Sequence, residues 1–280
     1  MLRLLFRIYQ IFSVPFSILM ILDSRKIHPA YRMGTCRKMR LGTKMFRNCR
    51  RIPTGSSYKV HLAMALKLLE TPPEVPGDVI ECGTYKGGSA ANLSLVCRIV
   101  GRKLRIYDSF EGLPPGEAGD RAAAGYREGD FRGTLAEVTD NIRRYGAPEC
   151  CRMAKGWFKD TLPALDTPVL LAFLDVDLEA SLHDCVRHIW RNLVDRGYIF
   201  MDEAIDPSYA ALFYSEKWWE TYFQCPPPGL IGAGTGLPLG QYYVGPLSQQ
   251  ENHPLHAPGS GAYTQKGMSG HWTYYPRNDR

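Results

Sequence analysis

The sequence lacks the cysteine spacing of a zinc site: its eight cysteines include no C-x-x-C pair, and Cys150 and Cys151 are adjacent. A reduced, cytosolic interior without zinc is the simplest account of them. Also missing is the G-x-G-x-x-G turn of dinucleotide binders, which opposes a nicotinamide enzyme. No uncharged run is long enough to span a bilayer squarely. Ile8 to Leu22 gives fifteen residues, about 22 Å of helix against a hydrocarbon core of about 30 Å. Pro15 interrupts that run, and no small-x-small cleavage site follows it, so a secretory signal fits poorly. Acids are scarce at one end. Residues 1–60 hold 13 Lys and Arg against a single acid, Asp23, a net charge of +12.

The other 220 residues carry 21 basic and 27 acidic groups, a net −6, so the overall +6 joins a mildly acidic body to a basic arm. Such an arm calls for an anionic partner. Arg3 and Arg7 before the apolar run, and Arg25, Lys26, Arg32, Arg37, Lys38 and Arg40 after it, suit a segment lying in an anionic membrane interface. A true span, or a buried helix followed by a solvated basic loop, stays open. No nucleic-acid module is recognisable. The expected location is cytoplasmic, with residues 1–40 offering peripheral attachment to the inner face of a membrane; a homo-oligomer is open.

At 45% hydrophobic and 22% charged residues, the chain is neither disordered nor low-complexity and can bury a sizeable core. From residue 58 short apolar runs alternate with amphipathic stretches, the pattern of a doubly wound α/β sheet. Strands are predicted at 78–82, 104–107, 151–155, 169–177 and 198–201, with helices at 58–70, 89–101, 135–146 and 181–194, and helical pattern over 208–223. Residues 112–133 read as a long Gly- and Pro-rich loop. GQYYVGP (240–246) and GHWTYYP (270–276) read as the antiparallel edge of the same sheet.

Three strand ends carry suggestive chemistry, because ligands of open α/β sheets bind beside the carboxyl ends of strands. Glu81-Cys82-Gly83-Thr84-Tyr85-Lys86-Gly87-Gly88-Ser89 places glycines where a strand turns into a helix; a tight turn without ligand explains them equally. Asp108 ends the next strand, placed to accept bonds from ribose hydroxyls. Asp175-Val176-Asp177 and Asp202-Glu203 end two further strands. Converging oxygen donors favour Mg²⁺, Mn²⁺ or Ca²⁺ over zinc, although Asp177 and Asp206 also stand where helices are capped.

Read together, VIECGTYKGGSA, YDSFEGLP, KGWFKDTLP, LDVDLEAS and GYIFMDEA resemble, in unbroken order over residues 55–220, the macrocin O-methyltransferase family. The resemblance implies a class I, S-adenosylmethionine-dependent and usually Mg²⁺-dependent enzyme that methylates sugar hydroxyls of glycans or natural products. It implies a Rossmann-like, doubly wound, seven-stranded sheet over residues 55–280; the apolar and basic helical arm expected over 1–54 lies outside the resemblance. On it, Glu81, Gly83, Thr84, Gly87, Gly88 and Ser89 would hold the methionine end of the cofactor. Asp108 with Ser109 would hold its ribose, Trp157 and Phe158 would flank the adenine, and Asp175 would line the pocket. Asp175, Asp202 and Glu203 would bind the metal, Glu203 standing where relatives commonly carry a second Asp. Glu111, Asp177 and His271 are the candidate bases, and an anionic membrane would make a lipid-linked sugar the natural acceptor. A non-catalytic cofactor-binding scaffold is the competing reading.

Overall fold

The first strand is short because both of its ends are punctuated. Asp78–Cys82 (β1) follows the Thr71-Pro72-Pro73 break and ends at Gly83, whose φ is +79°. The remaining strands are Leu104–Asp108 (β2), Cys151–Lys155 (β3), Val169–Leu174 (β4), Leu193–Met201 (β5) and Ala262–Gln265 (β6). They form one sheet in the order β3-β2-β1-β4-β5-β6, parallel except for β6 against β5. This computed structural model describes residues 14–19, 21–22, 25–115, 126–202, 207–230 and 262–267. Six strands are therefore seen where seven are implied. The antiparallel edge is Ala262–Gln265, a segment the sequence reading passes over, while the predicted strands at 240–246 and 270–276 lie outside the described residues. β4 stops at Leu174, short of the acidic residues.

Helices cover both faces. Thr35–Arg51 (α1), Tyr58–Glu70 (α2), Gly88–Val100 (α3) and Leu135–Tyr145 (α4) pack on one. The one-turn Phe158–Thr161 (α5), Glu179–Asn192 (α6), Pro207–Ala211 (α7) and Glu216–Phe223 (α8) pack on the other. The helical pattern over 208–223 is broken by a 3₁₀ turn at Leu212–Tyr214, after which Ser215 caps α8 by accepting from the Trp218 N–H at 3.3 Å. All six residues of β4 are buried, as a parallel strand covered on both faces requires.

The basic stretch after the apolar run is a 17-residue helix, α1, rather than a solvated loop. Its Leu41 and Met45, with Val14, Ile18, Ile21 and Leu22 of the preceding segment, join the core on the α1–α4 face. Gly42 is required there. An added Cβ would lie 2.5 Å from Ile18. Among the described residues no helix is long and apolar enough to cross a membrane.

A buried polar knot fixes α1 to the body. Asn92 of α3 donates to the Met45 carbonyl at 3.2 Å and to His61 Nδ1 at 2.8 Å, and its Oδ1 accepts from Asn48 Nδ2 at 2.9 Å. Burial pushes the His61 imidazole down to about 3, so it stays neutral. With Nδ1 accepting, its Nε2–H donates to Ser56 Oγ at 2.9 Å. Asn92→Ala strands several buried groups at once, and is expected to lower unfolding free energy by about 2–4 kcal/mol, read from urea denaturation.

Candidate active site

The strand order reverses between β1 and β4, and the crevice outside their carboxyl ends is where a doubly wound sheet takes a ligand. Glu81 of β1 is fully buried there. Thr84 Oγ1 donates to its Oε2 at 3.2 Å, whereas Oε1 has no hydrogen-bond partner among the described residues. Burial pushes this carboxyl up to about 8; bonds from Ser89 and Thr84 oppose the shift, and the charges of Asp175 and Asp108 add to it. A buried acceptor left in this state calls for a donor brought by a ligand, preferably a cation.

The glycines serve the chain first. Gly83 turns β1 toward α3, and an added Cβ would collide with the Asp175 carbonyl oxygen. Gly87, at φ +82°, caps α3 and donates to the Thr84 carbonyl at 2.7 Å. A Cβ on Gly88 would meet Thr54 at 2.8 Å. Close packing at the end of β4 and at the α1–α2 connection thus accounts for Gly83 and Gly88, and the left-handed cap, packed on Val138 of α4, for Gly87. Thr84 and Ser89 are the members of the turn that reach Glu81.

Asp108 ties the neighbouring strand ends together. Its Oδ2 accepts from the Thr84 N–H at 2.7 Å and its Oδ1 from the Phe110 N–H at 2.6 Å. Burial raises its carboxyl above the usual range, and those backbone bonds work against the rise. The Tyr85 backbone adds a third bond to this carboxylate, so of its roughly four acceptor sites about one is left for a ligand hydroxyl. Ser109 closes the following turn, accepting from the Glu111 N–H and donating to the Gly112 carbonyl, both at 3.1 Å. Glu111 faces solvent, 3.5 Å from Lys155 Nζ. Gly156 donates to the Asp108 carbonyl at 2.9 Å, which sets Trp157 and Phe158 beside that strand end. Phe158 packs on the core and Trp157 stays half-buried.

Asp175 and Asp202 sit one step past the paired Leu174 and Met201. Asp175 N donates to the Cys82 carbonyl and Asp202 N to the Leu174 carbonyl, each at 3.0 Å. Asp177 is held at φ +58°, and its carbonyl accepts from Tyr209 Oη at 2.5 Å. It does not cap α6, whose N-cap is Leu178 without a side-chain bond. Burial, then the charge of Asp175, pushes the Asp177 carboxyl up to about 8. No group of three or more His, Cys, Asp or Glu able to hold a metal comes together among the described residues; Glu203 and His271 lie outside them.

A family model for macrocin O-methyltransferase (TylF) matches residues 54–216. The chain belongs to that family. It is 38% identical over 145 residues to 8-demethyl-8-(2,3-dimethoxy-α-L-rhamnosyl)-tetracenomycin-C 4′-O-methyltransferase of Streptomyces olivaceus, covering 47% of this chain and 55% of that protein. It is 34% identical over 140 residues to demethyldecarbamoylnovobiocin O-methyltransferase of Streptomyces niveus, covering 46% and 53%. The chain thus spans about half the length of the curated relatives it matches. Its fold is similar to that of the O-methyltransferase NovP, with a TM-score of 0.60 and 22% identity over 91% of this chain and 98% of that one.

Beside the macrocin-type turn stands an aromatic group that sequence reasoning misses. Phe131 meets Tyr126 edge-on at 5.2 Å and Tyr85 at 6.1 Å. Phe131 is exposed, and both it and Tyr85 hold left-handed backbone, at φ +58° and +48°. Phe110 and Asp177 do the same after β2 and β4, each at φ +58°. Such strain gathers at ligand sites. Tyr85, just before the Gly87-Gly88 turn, and Tyr126 and Phe131, within the 112–133 loop, were the available signal.

Proposed function

We propose that the chain is an S-adenosylmethionine-dependent O-methyltransferase acting on a sugar hydroxyl of a glycan, glycolipid or glycosylated natural product. The observation that carries this reading is Glu81: a buried carboxyl with one unsatisfied oxygen at the switch point, in a family of O-methyltransferases. Glu81, Thr84 and Ser89 bind the amino-acid end of the cofactor, Asp108 takes its ribose, and Trp157 covers its adenine. When bound, the cofactor supplies a sulfonium methyl with a ready leaving group, so the protein's work is alignment and removal of water.

Asp175 and Asp202, each one residue past the end of neighbouring strands, would suit a hard divalent cation, and Glu203 would complete the set. The crowding of Asp175 against Asp177 is the feature such an ion relieves. It would stabilise negative charge on the acceptor oxygen, which makes a vicinal diol the fitting acceptor. Asp177 is better placed than Glu111 to take the proton, being enclosed beside Asp175 while Glu111 pairs with Lys155 in the open. Tyr85, Tyr126 and Phe131 offer ring faces and edges to the acceptor.

Residues 1–54 are read as an arm that precedes the catalytic domain of 55–280 and whose described part packs against it, supported by a family match that opens at residue 54. Its +12 charge and the exposed Phe16 and Leu19 favour docking on an anionic membrane face, with a lipid-linked sugar as acceptor.

Incubation with methyl-labelled S-adenosylmethionine, Mg²⁺ and vicinal-diol glycosides tests the activity. Label should reach the sugar and fall to background with EDTA. Cofactor binding without transfer to any diol acceptor overturns the enzyme reading; transfer that survives EDTA removes the metal.

A further inference from the structure

A second concave site lies away from the strand ends, between α1 and the carboxyl end of α4. This groove of about 510 Å³ is lined by Arg40, Lys44, Arg47 and Arg51 of α1 and by Arg144 and Tyr145. Positions 40, 44, 47 and 51 recur every three or four residues, so the four cations stack along one helix face over about 16 Å. The groove has no carboxylate in its lining.

Like charges at this spacing destabilise a helix. Among the described residues no acid forms an ion pair with Arg40, Lys44, Arg47 or Arg51. The nearby acids are engaged elsewhere: Asp140 holds Arg143 and Arg144, and Glu149 holds Arg98. Arg51 lies over the Tyr145 ring at 5.7 Å. The Lys44 ammonium is pushed below its ordinary value by burial and by Arg98. The floor beneath is rigid, because Asn48 spends its Nδ2 on Asn92 and on the Tyr145 carbonyl at 3.2 Å. Guanidinium forks match phosphate oxygens in pairs, and a row of four cations exceeds what one phosphate can neutralise.

We propose that the α1–α4 groove is a binding site for a ligand bearing two or more clustered phosphate groups. A soluble diphosphate ester and a polyphosphorylated lipid headgroup share this chemistry. The site stands apart from the methyl-transfer crevice and does not depend on that activity.

The test uses the full chain, inorganic pyrophosphate as soluble probe, and phosphatidylcholine vesicles with or without phosphatidylinositol bisphosphate. Calorimetry should show pyrophosphate binding that weakens steeply with salt. Binding should fall about tenfold or more in a K44Q/R47Q double variant and stay unchanged in R191Q on α6. Both groove side chains are exposed, so the double variant should fold, and relief of repulsion should leave its Tm equal or slightly higher at low salt. Pyrophosphate binding without flotation on bisphosphate vesicles identifies a soluble ester. Flotation that pyrophosphate competes away, and that K44Q/R47Q loses, identifies a headgroup. Binding of neither probe, or binding that the double variant leaves intact, overturns the proposal.

Discussion

Glu81→Gln should weaken S-adenosylmethionine binding by roughly 10- to 100-fold while making the ligand-free protein more stable at neutral pH. The two effects share one cause. Burial holds the Glu81 carboxyl up at about 8, against 4.5 in an exposed glutamate. Below pH 4.5 folded and unfolded chains both keep the proton, and the site costs nothing. Between 4.5 and 8 the unfolded chain has ionised while the folded one has not, so stability falls as pH rises. Above 8 both are ionised and the loss levels off. Near pH 7 the penalty is on the order of 3 kcal/mol. Glutamine removes it, and urea unfolding from pH 5 to 8 should lose this slope in the variant. The cofactor's ammonium reverses the balance by drawing the carboxyl into its charged form. A charge-assisted bond in such a setting contributes about 1.5–3 kcal/mol, which sets the affinity loss. Binding near pH 7 should therefore release close to one proton from the wild type and none from the variant, read by calorimetry in buffers of different ionisation enthalpy. Equal affinity in both proteins would remove Glu81 from the cofactor site.

The parallel half of the sheet was legible because each buried strand is a compact apolar run set off by turn residues. Asp78–Cys82 and Cys151–Lys155 are where the pattern puts them. The edge was not, since the four residues Ala262–Gln265 carry neither a long apolar run nor strict alternation. Their partners on β5 define them: Phe200 stacks on Tyr263 at 5.0 Å. The helix at Thr35–Arg51 was obscured by its own charge. Ten of its 17 residues are polar or basic enough to read as a solvated stretch, yet Leu41, Met45 and Asn48 face inward at helical spacing.

Site legibility followed the same division. Residue types that only a strand end explains, such as Glu81 and Asp175, stood out in the sequence and meet at the crevice. The glycines stood out for a different reason from the one that places them, because their crowding comes from the protein itself: the Asp175 backbone at Gly83, and the Val138 and Thr54 side chains at Gly87 and Gly88. Tyr126 and Phe131 were hidden in a long loop whose ends are tied only in three dimensions, Leu113 donating to the Asp130 carbonyl at 3.0 Å and Gly129 to the Leu113 carbonyl at 3.1 Å. Such pairings across a loop leave no periodic trace.

Gly83→Ala should be severely destabilising, because it combines a left-handed backbone with a clash against backbone. At φ +79° a side chain costs about 1–2 kcal/mol, and here the added methyl group has no room to turn. It points at the Asp175 carbonyl, which is backbone and cannot step aside as a flexible side chain would. Relief requires β1 and β4 to part at their carboxyl ends. That separation stretches the bond from Asp175 N–H to the Cys82 carbonyl, now 3.0 Å. Overpacking of this kind adds about 1–3 kcal/mol. The expected total is roughly 2–5 kcal/mol, measured as a lower urea midpoint with unchanged m-value. Gly87→Ala is the informative companion. Its φ of +82° carries the same backbone cost, but its Cβ would meet Val138 Cγ1 at 3.1 Å, a side-chain atom that can yield. Stability should fall less there, by about 1–2 kcal/mol. A smaller loss at Gly83 than at Gly87 would show that the strand ends part easily, and would remove the rigid β1–β4 junction on which the proposed placement of Glu81 and Asp175 depends.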